Sequence, residues 1–435
     1  MGSNWVMAST RASSGPATGL ADAAAGGEDR LGSGRAFSDR LPRPWLFPLL
    51  VYAVTWALIV ASWHVADAIY GVSPSWTFYF FFKDASHYLA IAQQGYPAHL
   101  VFPTKHVSRG YPPFELVNLP STWNTVLTYK APVPYPFLPA FFPGLPVVVW
   151  LMHWVTGGSY LIGALVTGIL SGAAASLMVW LLAAKVRGRQ VADRAVVLFC
   201  LFPGAMVFGM LYSEPLAVAI AAGTLLAMLD RRWLLAGVLA AAGTFERPTL
   251  IVLTGVLGIG AILAIRDRRE WRSLAAAPLS LLGVVAFFAY LGARYHDLSF
   301  WFATEKHGWG QKIDFGVHSF QLLTWQIKAV AEKETTFNVL LTLMFVVGVV
   351  GVVCMVRARL PWQITLFSVL TLLACIVSNA QSTKPRFVWS AFGIFIGLAA
   401  VKLPRYVFWP VVVVSAALLA FLIGWWPQHY AYPAP

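Results

Sequence analysis

What most constrains this chain is a series of uninterrupted apolar runs, each near the roughly 20 residues a helix needs to cross a ~30 Å hydrocarbon core. Candidate spans fall at 45–63, 161–184, 195–212, 216–229, 234–246, 248–265, 274–293, 337–355, 362–378, 387–401 and 406–425. Backbone inside hydrocarbon must satisfy its own hydrogen bonds, which leaves helices or a closed barrel. No stretch has the alternation, about ten residues long, of a barrel strand. Composition agrees: 58% of the 435 residues are hydrophobic and 11% are charged, against about 25% charged in soluble domains. We expect an all-α polytopic membrane protein, one bundle of about 10 to 12 transmembrane helices filling residues 41–435. Residues 1–40, rich in Ala, Gly and Ser, read as a disordered cytoplasmic leader.

A net charge of +13 raises the question of nucleic acid, but the basic residues sit in short clusters between apolar runs. These are KVRGRQVADR (185–194), DRRW (230–233), RDRREWR (266–272), VRAR (356–359) and KLPR (402–405), with fourteen Lys and Arg against four acids. That pattern sets topology, with these loops and the N-terminus on the cytoplasmic side of the plasma membrane; no nucleic-acid partner is expected. Cys200, Cys354 and Cys375 lie within apolar runs without metal-ligand spacing and read as packing residues.

Every second connection then faces outside, including large loops at 64–135 and 294–336. The segment 136–155 breaks this parity if it crosses. Its Pro136, Pro139, Pro143 and Pro146 disfavour a regular helix, and a re-entrant segment would restore the parity. The external face collects Asp84, His87, Tyr212, Glu214, Glu246, Arg247, Arg294, His296, Asp297, Glu305, Lys306, His307, Lys384 and Arg386. A charge within an apolar segment costs about 2.5 to 3.5 kcal/mol on insertion scales, so it is usually paired or functional. Asp84, Glu246 and Arg247, with apolar sequence on both sides, fit that description best.

In KDASHYLAIAQQGYP (83–97), His87 at i+3 and Tyr88 at i+4 share a helix face with Asp84. Asp84 also suits a helix N-cap, which is compatible with a chemical role. Lys384 and Arg386, with Arg247, suit an anionic phosphate; ordinary interfacial snorkelling is the plain alternative.

Four motifs resemble the PIG-V family, mannosyltransferases of the GT-C type: KDASHYLAIAQQGYP, LPAFFPGLPVVVWL, LFPGAMVFGMLYSEPL and ARYHDLSFWFATEKHGWGQ. The resemblance lies in their order along most of the chain. It implies a GT-C-like bundle with a large first external loop and inverting transfer of a sugar, mannose first, from a polyprenyl-phosphate donor. The acceptor would be a lipid or glycan, reached on the non-cytoplasmic face among membrane lipids. It further implies that Asp84, the acid of that loop, is the catalytic base. Two departures stand out: Lys83 occupies the place of the family's Trp, and FERPT differs from the usual Thr-Arg.

In this scheme Arg247, Lys384 and Arg386 stabilise the leaving phosphate, and His87, Glu214 and His307 bind sugar hydroxyls. Tyr88, Tyr212, Glu246 and Trp309 complete the expected substrate-binding set. No nucleotide-binding loop is present. Without an Asp-x-Asp pair or a His cluster, no cofactor is expected to be required and a divalent metal is not indicated. A transporter or lipid-linked sugar flippase is the competing class, but it calls for midplane polar sites and internal repeats, and no convincing repeat is found.

Overall fold

The computed structural model describes residues 36–70, 76–98, 137–310, 313–317, 320, 321, 324, 336–377, 384–401 and 403–431. The leader up to residue 35, most of the first loop and much of the second lie outside these. Among the described residues the chain is all helical, with α1 (Leu46–Tyr70), α2 (Trp76–Phe80), α3 (Asp84–Gln94), α4 (Gly144–Val155), α5 (Tyr160–Arg187), α6 (Arg189–Cys200), α7 (Glu214–Leu229) and α8 (Trp233–Glu246) in the first part. There follow α9 (Val252–Arg268), α10 (Ala276–Tyr295), α11 (Phe300–Trp309), α12 (Thr336–Arg357), α13 (Trp362–Val377), α14 (Pro385–Ser390), α15 (Gly393–Ala400) and α16 (Arg405–Ala431). Among the described residues six helices are long and apolar enough to cross a membrane, or seven if the bent pair Arg189–Cys200 and Pro203–Gly209 counts as one span, and α4, α7, α8 and α13 are shorter apolar helices.

The basic clusters 185–194, 230–233 and 266–272 meet at one end of the bundle. Lys185 at the foot of α5 pairs with Asp230 below α7, Arg231 pairs with Glu270, and the indole of Trp233 donates to Glu270 (2.8 Å). The last residues assigned to the leader are ordered here. Phe37–Arg40 forms a 3-10 turn whose Ser38 N–H donates to the buried Asp193 carboxylate (2.7 Å), and Asp39 pairs with Arg189 (3.0 Å). Their polar groups find partners at a helix end, which a composition-based reading cannot see.

The proline-rich segment 136–155 does not behave as a span. A 3-10 turn, Leu138–Ala140, leads to Gly144, which packs against Glu246 at the top of α8. From there α4 runs outward and turns through Thr156–Ser159 into α5, with Gly163 closing on the His153 backbone. Because the foot of α5 is at the basic end, Val155 and Tyr160 lie at the opposite end. Within 137–155, Gly144 therefore lies nearer the middle of the bundle and α4 runs from it toward the end where α5 begins.

Two expected spans are broken. The run 195–212 is α6 plus the 3-10 helix Pro203–Gly209, bent by 72°, and 387–401 is divided into α14 and α15. The first break is set by Pro203, which opens the 3-10 turn. The exposed backbone there is used: Phe199 O accepts the Trp389 indole N–H (2.9 Å), and the two rings stack at 4.4 Å. Trp389 is fully buried and seats α14 in the break, which places Arg386. A Cβ on Gly204 would run into the Pro385 carbonyl and lie 2.6 Å from Trp389 Cβ. Gly204→Val is expected to destabilise the protein by about 1 to 3 kcal/mol through overpacking, read as a lower Tm in detergent; an unchanged Tm would show that α14 is not anchored there.

Candidate active site

The chain enters the site through a strained turn. Phe82 O accepts the Ala85 N–H (3.4 Å) around Lys83, whose φ of 52° and ψ of −116° match the first central position of a type II′ turn, normally glycine. Holding a lysine there costs on the order of 1 to 3 kcal/mol, and such strain clusters at functional sites. Lys83 is the N-cap without a side-chain cap bond, and Asp84 is the first residue of α3. Asp84 is thus not the cap that its position suggests, and its carboxylate is free to reach sideways.

It reaches Arg386, whose Nη1 donates to Asp84 Oδ2 at 2.6 Å. Arg386 Nε lies 3.6 Å from Glu214 Oε1, and Arg247 Nη1 lies 2.9 Å from the same oxygen. The result is an alternating row, Asp84, Arg386, Glu214, Arg247, in which each acid contacts a guanidinium. Arg386 also stacks over Tyr212 and Phe387, at 5.0 and 4.8 Å from the ring centroids, which holds its plane. The Glu214 side chain is 3% exposed, against 30% for Asp84, so the row runs from a buried structural pair to an accessible one. Burial pushes the Asp84 carboxyl up, but the charge and hydrogen bond of Arg386 outweigh it and hold Asp84 below the ordinary carboxylate range. Lys384, half-buried at the N-cap of α14, is brought down to about 8 by burial and by the nearby Arg386 charge.

The other expected residues divide. Tyr88 is buried and donates to Ser213 Oγ (2.9 Å), tying α3 to the start of α7. His87 is buried, stacked on Phe141 at 4.7 Å, with Nδ1 3.1 Å from Lys83 O; burial, only partly offset by Asp84, lowers its pKa, so it is neutral wall. Glu246 is buried beneath Gly144. His307 lies on the exposed side of α11, with Nδ1 at 2.7 Å from Ala303 O. Trp309 ends α11, and its side chain lies outside the described residues. Tyr212, Glu214, Arg247 and Arg386 therefore converge with Asp84, while His87 and Tyr88 brace α3 from behind.

Ser213 carries no sequence signal, and Glu305, collected on the external face, has no place in the expected substrate-binding set. Ser213 anchors Tyr88, a partnership 125 residues distant along the chain with no local signal. Glu305 lies on α11 with Trp301, Thr304 and Gly308, an i, i+3, i+4, i+7 face whose spacing was readable. Among the described residues no group of three or more His, Cys, Asp or Glu could hold a metal ion.

Depth follows from helix length. Glu214 and Glu246 top α7 and α8, of 16 and 14 residues, so they lie about 24 and 21 Å from the basic turn joining those helices. That is short of a ~30 Å core, and the row is recessed. Beside it a groove of about 430 Å³ opens between α3, α4, α8 and α10, lined by Gln93, Tyr96, Pro146, Trp150, Tyr160 and Tyr290 among others. Tyr96 donates to Phe141 O (2.7 Å), so groove and site share a wall.

No family model matches the sequence, and none of the curated proteins matches it. Among solved structures the chain is similar to ArnT from Cupriavidus metallidurans bound to undecaprenyl phosphate, at 15% identity over 84% of this chain and 63% of that one, with a TM-score of 0.48. It is also similar to the apo oligosaccharyltransferase of Archaeoglobus fulgidus, at 11% identity over 89% and 57% of the chains and a TM-score of 0.45. A third, Archaeoglobus fulgidus AglB in complex with an inhibitory peptide and a dolichol-phosphate, has 12% identity over 87% and 56%, with a TM-score of 0.41. The chain spans about three fifths of the length of these proteins. Likeness at this level assigns neither a fold family nor a chemistry.

Removing one member of a buried ion pair strands the other. Arg247→Gln leaves Glu214 with the 3.6 Å contact to Arg386 alone and is expected to destabilise by about 3 kcal/mol, with Glu214→Gln in the same chain recovering much of that. Thermal unfolding of the single and double variants in detergent checks this; additive losses would mean the pair is not coupled.

Proposed function

We propose that this protein is a membrane glycosyltransferase that moves a sugar, mannose first among candidates, from a polyprenyl-phosphate donor to a lipid or glycan acceptor with inversion at the anomeric carbon. The observation that carries this reading is the Asp84–Arg386 pair, accessible at the end of a buried acid–base row. The four ordered motifs resembling PIG-V proteins support it. The apolar groove sharing a wall with the site suits a lipid-linked substrate better than a nucleotide sugar. On this reading the reaction takes place on the non-cytoplasmic face, opposite the basic clusters.

The pairing gives the mechanism an order. A carboxylate bonded to a guanidinium is a poor base, because the cation stabilises its charged form. A donor phosphate offers Arg386 a competing partner matched to its bidentate fork. When Arg386 turns to the phosphate, with Lys384 beside it, Asp84 loses its stabilising cation and gains basicity. It then takes the acceptor's hydroxyl proton as the acceptor oxygen bonds to the anomeric carbon, while the bond from that carbon to the phosphate oxygen breaks. The departing electron pair stays on the phosphate, where Arg386 is placed to meet the developing charge. Glu214 and Arg247 stay paired and fix Arg386's starting position.

Purified protein supplied with radiolabelled polyprenyl-phosphate mannose and a membrane lipid extract tests the reading. Asp84→Asn is expected to reduce transfer by about 10² to 10⁴ at matched expression, the range of positioned general-base help, and Arg386→Gln to raise the donor KM as well. Equal turnover by wild type and Asp84→Asn removes Asp84 from the chemistry.

A further inference from the structure

The peptide between Lys83 and Asp84 is held from three directions. Its carbonyl, Lys83 O, accepts the Ser86 N–H at 3.0 Å, the Ser86 hydroxyl at 2.6 Å and the His87 Nδ1–H at 3.1 Å. A carbonyl only accepts, so Nδ1 is the nitrogen that carries the imidazole proton in this bond. The ring is fixed in turn: it stacks on Phe141 at 4.7 Å, Tyr88 meets Phe141 edge-on at 5.2 Å, and the Phe141 carbonyl takes the Tyr96 hydroxyl (2.7 Å). Ser86 and His87 are 7% and 6% exposed, so water competes little for their bonds to this carbonyl.

The backbone dihedrals define what these bonds hold back. With φ 52° and ψ −116° at Lys83 the turn is type II′, and rotating the peptide by about half a turn gives type I′, in which both central residues take positive φ. For Lys83 that flip is a relief, because the left-handed region admits a side chain whereas its present combination of angles does not. For Asp84 it means leaving the right-handed conformation that makes it the first residue of α3, and its carboxylate turns away from Arg386, now 2.6 Å from it. The aim of Asp84 therefore hangs on one carbonyl.

We propose that His87 is a positioning residue: by donating Nδ1–H to the Lys83 carbonyl it locks the Lys83–Asp84 peptide and keeps the Asp84 carboxylate directed at Arg386 and into the site. The catalytic value of that aim rests on the glycosyl-transfer reading, whereas the lock is a property of the turn itself. Ser86 is the second fastening, and both act from within the first turn of α3, so the acid and the side chains that aim it are carried by one short segment, DASH (84–87). Their bonds offset the strain of a lysine where a glycine would need no support. A His87 that served only as packing, or that bound a sugar hydroxyl, would have no energetic link to the backbone of residue 83.

That link is what a double-mutant cycle between His87 and Lys83 reads. His87→Ala is expected to lower kcat about tenfold, with donor KM within about twofold of wild type, because a strained turn that loses a hydrogen bond is mostly flipped. His87→Asn, whose Nδ2 stands in for Nδ1, is expected to recover most of the rate. In a Lys83→Gly chain, where the turn is held without strain, the same His87→Ala change is expected to cost less than about twofold in kcat. Ser86→Ala, which deletes one small hydroxyl, repeats the pattern at lower amplitude and serves where His87→Ala fails to fold. A loss from His87→Ala of equal size in both backgrounds, or one expressed as a raised donor KM with kcat kept, overturns the lock while leaving the glycosyl-transfer reading intact. Thermal unfolding in detergent is independent of turnover: Lys83→Gly is expected to raise the Tm of wild type more than that of His87→Ala, in which the flip has already released the strain, and equal gains overturn the lock on their own. Wild-type protein that transfers no sugar from any polyprenyl-phosphate donor overturns the glycosyl-transfer reading and, with it, the positioning role.

Discussion

Arg386 is the hinge of the arrangement. Its guanidinium meets Asp84, 302 positions earlier in the chain, on one side and Glu214 on the other. Each acid begins a different helix; Glu214 is also paired with Arg247 at 2.9 Å, so Arg386 is what joins Asp84 to that buried pair. Everything that fixes Arg386 therefore fixes the site: Trp389 seated against Phe199 in the broken helix, Gly204 allowing α14 to lie close, and Tyr212 and Phe387 stacked on the guanidinium plane. The break after Cys200 is the opening that lets a short helix from the far end of the chain into the middle of the bundle.

The apolar elements are legible because hydropathy accumulates over a whole span, and α5, α9, α10, α12, α13 and the short pair α7 and α8 fall within a few residues of their expected bounds, whereas α1 runs on to Tyr70, seven residues into the loop expected from 64. The breaks were not legible. Residues on both sides of 201–202 and of 391–392 are apolar, so a hydropathy average passes through them. Residues 36–40, expected as part of the leader, are ordered because Ser38 and Asp39 are satisfied by Asp193 and Arg189, about 150 positions away.

At the site, the acids and bases were readable as a set and their pairing was not. Arg247 and Arg386 were read as open positions for a phosphate, yet each is matched to a carboxylate of the protein. His307 was placed in the set by its charge class, although packing of Trp301 and Gly308 turns it to the exposed side of α11. The phase of a ten-residue helix depends on what it packs against, and that information lies at Phe137 and Ala140. Lys83 is a similar case: the turn it makes has a glycine signature that the residue does not display.

The lengths of α7 and α8 have a consequence for the bilayer itself. Both helices are counted from the basic turn at Asp230–Arg232, so the acid–base row keeps a fixed height above one leaflet. Any change in membrane thickness is taken up entirely on the other side, between the row and the far headgroups. On the glycosyl-transfer reading proposed above, a hydrophilic acceptor in a thicker bilayer has further to descend than one anchored in that leaflet. Lipid composition thus sets the path length for one class of acceptor more strongly than for the other.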